Sequence, residues 1–145
     1  MNPEQSIIFH LAHLNKVICQ KANALFQESG YRIRIEQVPV LMTLYYQGRL
    51  SQQELADLLH RDKSSIQRTI VTLAKAQVVT INEDCQDKRK NIIALSDCGR
   101  LLAIELEKNR NDVESHLFKH IGDNAKQKLI NLIQDMDIKN TRFRY

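Results

Sequence analysis

The sequence predicts a mainly α-helical chain with one small β-hairpin, and three observations predict it. Apolar residues recur at helical spacing over most of the 145 residues. Only two short runs, residues 78–81 (Val-Val-Thr-Ile) and 92–95 (Ile-Ile-Ala-Leu), are β-branched enough to read as strands. Finally, two short helical stretches are separated only by His60 and Arg61, and two helices joined by so tight a turn read as a helix-turn-helix. With 4 Gly and 2 Pro the chain has too few turn formers for an all-β fold.

The elements follow in order. Residues 3–29 form one long helix, with Ile7, Leu11, Leu14, Ile18, Ala22 and Leu25 on one face and Gly30 as its stop. At 1.5 Å per residue it extends ~40 Å, long for so small a domain. A second helix, residues 36–47, turns Val40, Leu41 and Leu44 inward and ends at Gly48. Ser51 and Glu54 make a capping box that opens the next helix. Asp62 caps the one after it, which runs to about Ala76 with Ile66, Ile70 and Leu73 on its inner face. The two strand-like runs flank a charged, solvated hairpin tip, residues 82–91. Ser96 caps a helix over residues 97–119, with Leu101, Leu102, Leu106, Val113 and Leu117 apolar. A last helix over residues 123–138 turns Leu129, Leu132, Ile133 and Met136 inward. The basic tail, residues 139–145, carries Phe143 and Tyr145 and reads first as a frayed end, with a brace on a second subunit or a contact to a nucleic acid as the alternatives.

Composition narrows the function classes. Hydrophobic residues make up 43%, enough for a single folded domain over residues 1–145. The net charge of +4 permits a nucleic-acid partner without requiring one. No apolar run approaches the ~20 residues that span a bilayer, so no membrane association is expected. Met1-Asn2-Pro3-Glu4 lacks the basic and apolar blocks of a signal peptide. Three cysteines without a CxxC pattern then read as reduced thiols in a cytoplasmic protein. There is no GxGxxG, no GxxxxGK[ST], no metal quartet and no nucleophile–base set, so neither an enzyme nor a cofactor is expected.

The order helix, helix, helix-turn-helix, β-hairpin, helix, helix resembles the MarR family of winged helix-turn-helix transcription regulators. The stretch LSQQELADLLHRDKSSIQRTIVTLAKAQVV, residues 50–79, is similar to the two DNA-lobe helices of that family. DKRKNIIALSDCG, residues 87–99, is similar to its wing, with Asp87 and Arg89 matching an Asp-x-Arg pair and Leu95, Ser96 and Gly99 matching the strand exit. Three positions depart from the family pattern. Gln77 stands where Gly is usual, and must take a left-handed conformation if the helix exit is kept. Ile81 and Cys85 stand where the family often has Arg and Pro. The resemblance implies a single MarR-like domain, with residues 36–99 as the DNA-binding lobe and residues 1–35 and 100–145 as dimerisation helices.

Within that frame the helix opened by Asp62 reads bases. Lys63, Ser64, Ser65, Gln67 and Arg68 fall near its start and largely opposite the core face, where a helix in the major groove meets base edges. Arg pairs with guanine and Gln with adenine. Taken without the helix-turn-helix context, the same residues are an ordinary solvated face. Arg89 is suited to a narrow minor groove, Lys88 and Lys90 to phosphates, and Asp87 to bracing the wing. Ser51 and Gln52, at a helix N-terminus, are candidates for phosphate contact as well as capping. From Arg49 to Lys90 eight Lys/Arg stand against six Asp/Glu, so affinity rests on placed side chains and dimer avidity rather than bulk field.

The long apolar stripes of the first and last helices are best used as a two-fold homodimer interface, which lets two reading helices engage a pseudo-palindrome in double-stranded DNA. The resemblance further implies repression relieved by a small-molecule effector, often an amphipathic or phenolic acid, held between the dimer and DNA lobes. The competing reading is a winged-helix protein-interaction adaptor without a DNA target. Cys19 is expected to be buried and inert. Cys85 lies near Lys88 and Arg89, a setting that suits a redox-active thiolate, but a free Cys is more often just a small hydrophobe and that reading is preferred. His10 with His13, and His116 with His120, have ligand spacing, but no set of four ligands accompanies them.

Overall fold

The computed structural model describes residues 6–140, with side chains described through residue 136. It contains α1 (Ile7–Glu28), a 3₁₀ turn (Ile35–Gln37), α2 (Val38–Gln47), β1 (Leu50–Ser51), α3 (Gln52–Leu58) and α4 (Lys63–Lys75). These are followed by β2 (Val79–Glu83), β3 (Asn91–Leu95), α5 (Asp97–Leu117) and α6 (Asp123–Asn140). This is the mainly helical fold with a small hairpin that the pattern predicts. The readings for residues 3–5 and for the tail, residues 141–145, lie outside the described residues.

The three strands form an antiparallel sheet in the order β1-β3-β2. The hairpin pairs Val79 with Leu95 and Ile81 with Ile93, and extends to Glu83 opposite Asn91. Its tip is therefore shorter than the charge pattern suggests, because Asn82 and Asn91 still join the ladder. β1 was not predictable from periodicity: it is two residues long, pairs Leu50 with Ile93, and leads straight into the cap of α3.

The core gathers around α2, α3, α4 and the sheet. Val40, Leu41, Leu55, Ile66, Leu73 and Ile93 are its largest fully buried side chains, each contributing about 1.5–3 kcal/mol by leaving water. Phe26 from the end of α1, Ile33, and Ala103 from α5 complete it. Two caps fix where helices begin. Ser51 Oγ accepts from Glu54 N at 3.2 Å while Glu54 Oε2 accepts from Ser51 N at 2.7 Å, the reciprocal capping box. Asp62 Oδ1 accepts from Ser65 N at 2.8 Å.

Gly99 explains a motif position by geometry. A Cβ there would stand 1.9 Å from the carbonyl oxygen of Val78, which is backbone and cannot give way. Ser96 seals the same junction: its Oγ accepts from Gly99 N at 3.0 Å and donates toward Gln77 O at 2.6 Å, and its N–H donates to Val78 O at 3.0 Å. The start of α5 is thus fastened to the chain leaving α4.

Two expectations need correction. Leu129, Leu132, Ile133 and Met136 do not turn into the chain's own core; all are exposed within the protomer, as are Ile7, Leu11 and Leu14 of α1. Nothing among the described residues covers them. Cys19 is half-buried rather than buried, its Sγ–H directed at Asn15 Oδ1 (3.9 Å) on the polar side of α1.

Candidate nucleic-acid interface

α4 presents two faces of opposite character. Ile66, Thr69, Ile70 and Leu73 are buried. Ser64, Gln67, Arg68, Val71 and Thr72 line one shallow depression of about 500 Å³ on the opposite face. Ser64, Gln67 and Arg68 are exposed, and Lys63 is exposed at the first helical position. Ser65 differs from them: it is half-buried, and its Oγ accepts a hydrogen bond from Arg61 Nη2 at 2.7 Å. Val71 and Thr72 share the face without having been singled out by sequence; the signal for them was the i+3 and i+4 spacing from Arg68.

The turn before α4 is built from backbone bonds. Arg61 N donates to Ala56 O at 3.0 Å, and His60, with φ +49°, supplies the reversal. Gln52 Nε2 donates to Lys63 O at 3.1 Å, tying the start of α3 to the start of α4. One Gln52 function is thus structural, and Ser51 is committed to its capping box.

The wing lies beside this helix pair. Ser51, Gln52, Lys63, Arg89 and Lys90 line one groove of about 560 Å³ together with Glu54 and Asp84. Lys88, Arg89 and Lys90 are exposed at the tip. Asp87 braces the backbone: its Oδ1 accepts from Arg89 N at 3.0 Å and its carbonyl accepts from Lys90 N at 2.9 Å. Asp84 does the same one step earlier, accepting from Gln86 N at 3.0 Å. The Ser51 N–H, followed by the Ser51 hydroxyl, holds the Glu54 carboxyl below the usual carboxylate range. This groove is therefore mixed in sign, with cations on the wing and at α4 and a fixed carboxylate at α3. Cys85 is exposed on the wing.

A second feature lies between α1, α2 and α5. Ile18, Phe26, Met42, Leu106, Val113 and Leu117 contribute to a mostly apolar cavity of about 300 Å³, with Glu107, Arg110 and Glu114 also in its lining. Among the described residues no group of three His, Cys, Asp or Glu comes together to hold a metal ion, and no helix is long and apolar enough to cross a membrane.

Comparisons with known proteins agree with this architecture. Residues 33–90 match the model of the MarR family. An uncharacterized HTH-type transcriptional regulator of Bacillus subtilis, YdgJ, is 23% identical over 133 residues, 92% of this chain and 78% of its own. The S. aureus MepR structure, solved with DNA, superposes with a TM-score of 0.75 at 20% identity, covering 90% of this chain and 96% of that one. BpsR of Bordetella bronchiseptica, whose DNA binding is regulated by 6-hydroxynicotinic acid, superposes with a TM-score of 0.67 at 22% identity, covering 88% and 98%.

Proposed function

We propose that this MarR-family chain is a homodimeric, ligand-responsive repressor that binds a pseudo-palindromic operator in double-stranded DNA. The observation that carries the reading is α4: an amphipathic helix whose outer face offers Ser64, Gln67 and Arg68 to a groove while its inner face is locked in the core. A major groove admits one such helix, and the residues nearest its N-terminus reach base edges. Arg68 is suited to guanine and Gln67 to adenine. Lys63, Lys88 and Lys90 serve phosphates, and Arg89 enters the adjacent minor groove from a tip stiffened by Asp87. Ser51 and Gln52 line the groove beneath the wing, near the same backbone.

The dimer follows from the exposed apolar residues of α1 and α6, which a second copy related by a two-fold axis covers. The effector belongs in the apolar cavity between α1, α2 and α5, at the junction of the outer helices with the DNA lobe. A ligand there acts by population shift, favouring a dimer whose reading helices are wrongly spaced for successive major grooves. A tenfold loss of DNA affinity needs only ~1.4 kcal/mol of differential binding. The protein works in the cytoplasm.

Selection of genome fragments with the purified protein at fixed salt, followed by footprinting, tests this reading. The expected result is a protected pseudo-palindrome with half-sites about one helical turn apart. Combined Arg68→Ala and Arg89→Ala substitution is expected to abolish that protection without changing the melting temperature. Unchanged protection would favour an adaptor that meets protein rather than DNA.

A further inference from the structure

The structure brings to the start of α4 one side chain that the sequence pattern does not pick out. Arg61 belongs to the turn between α3 and α4 rather than to either helix. Its backbone N–H is committed to Ala56 O, and its half-buried side chain reaches one turn along α4 to Ser65 Oγ at 2.7 Å. Ser65 is fixed from both sides, its N–H on Asp62 Oδ1 at 2.8 Å and its carbonyl on Thr69 Oγ1 at 3.1 Å. Among the described residues, Arg61 takes part in none of the ion pairs, which are Arg34–Glu36, Arg110–Glu107 and Lys126–Asp123.

A guanidinium has five N–H donors and no acceptor. In this pair Ser65 Oγ is therefore the acceptor, and its own hydrogen is left to donate. The hydroxyl, ordinarily able to give or accept, is biased toward giving. Beside it stand the remaining Arg61 donors, carrying a positive charge that no carboxylate among the described residues pairs with. Resting on the DNA-binding reading above, we propose that Arg61 is a positioning residue that presents Ser65 as a hydrogen-bond donor toward an acceptor-only group of the duplex. Such groups at a helix start in the major groove are phosphate oxygens and base-edge acceptors, among which guanine presents two, O6 and N7, side by side.

The test is a double-mutant cycle in the full-length protein with Arg61→Met, Ser65→Ala and both, measured by equilibrium binding to the footprinted duplex. Met keeps most of the apolar stem of Arg, so packing is preserved while the donors go. Each single change is expected to weaken binding roughly tenfold, and the double change to weaken it no more than Arg61→Met alone, because the two act through one contact. Arg61→Lys is expected to recover part of the loss, and melting temperatures are expected to match the parent's. If the acceptor is phosphate, the loss is the same on every duplex and the slope of log K against log salt falls by about 1. If it is a base edge such as guanine's, the loss disappears on a duplex in which that base pair is replaced. Losses that multiply in the double variant would overturn the proposal, since Arg61 and Ser65 then act independently. So would full affinity in Arg61→Met while Arg68→Ala still loses binding, a result that leaves the DNA-binding reading standing. Full affinity in Arg68→Ala with Arg89→Ala as well would remove that reading and the proposal with it.

Discussion

The winged lobe and the outer helices treat apolar residues in opposite ways. In the lobe, Val40, Leu41, Leu55, Ile66 and Leu73 are 0% exposed. In the outer helices, Ile7 is 73%, Ile8 80% and Leu132 62% exposed. The boundary runs through one helix: Ala22 and Phe26 of α1 are buried while Leu11 and Leu14, two to three turns earlier, are not. Helical periodicity is the same on both sides of that boundary. It therefore reports that a face is apolar and says nothing about whose atoms cover it. The lobe is closed by its own chain, whereas apolar residues of the outer helices stay exposed among the described residues.

The comparison breaks most sharply at Gly99. If the lobe is a self-contained, close-packed unit, Gly99→Ala has no room to relax, because the Cβ meets the Val78 carbonyl at 1.9 Å and that strand entry is held by Ser96. A loss of more than about 3 kcal/mol is expected, enough to unfold a marginal domain. Urea denaturation followed by circular dichroism measures it. A loss under 1 kcal/mol would mean that the α4–α5 junction shifts freely and that the lobe is looser than its burial suggests.

The opposite region is tested by adding charge where the lobe would not tolerate it. Leu129→Asp with Leu132→Asp alters α6 residues that are 36% and 62% exposed in the protomer. Sedimentation velocity is expected to show a dimer weakened roughly thirtyfold or more, the equivalent of about 2 kcal/mol at a well-packed interface. The far-UV circular dichroism spectrum of the full-length variant is expected to match the parent's, since both side chains are exposed within the chain. A variant that remains dimeric would place the second copy on another surface.

These two regions also differ in how far the sequence announced them. Caps and glycines were legible because each is a local chemical requirement: Ser51 with Glu54, Asp62, Ser96 and Gly48 all stand where residue type alone places them. The inner face of α4 was legible for the same reason, a strong 3.6-residue pattern ending in a matched partner. β1 was not, since two residues carry no period and the pairing of Leu50 with Ile93 is long-range. Nor was Arg61. In sequence it is one polar residue in a turn, and its reach to Ser65 exists only once the left-handed His60 has set the direction of the chain. The outer face of α4 and the wing tip were thus open to a reading from sequence, whereas the Arg61–Ser65 contact, which the turn before α4 delivers, was not.

The smallest expected effect concerns that same backbone reversal at the far end of α4. α1 and α4 end alike: Tyr31 N bonds Phe26 O and Gly30 N bonds Gln27 O in one, while Val78 N bonds Leu73 O and Gln77 N bonds Ala74 O in the other. The residue in the left-handed position is Gly30 in the first, φ +77°, and Gln77 in the second, φ +62°. A side chain there costs roughly 1–2 kcal/mol through its Cβ, whereas Gly returns about 0.5–1 kcal/mol of that as extra entropy of the unfolded chain. Gln77→Gly is therefore expected to stabilise the protein by about 0.5–1 kcal/mol, read as a higher urea midpoint at unchanged slope. Gln77 is exposed and its carbonyl is already held by Ser96 Oγ, so the substitution removes strain and leaves the junction as it is. Destabilisation would show instead that the Gln77 side chain holds the base of the wing, and that the lobe depends on a contact made beyond its core.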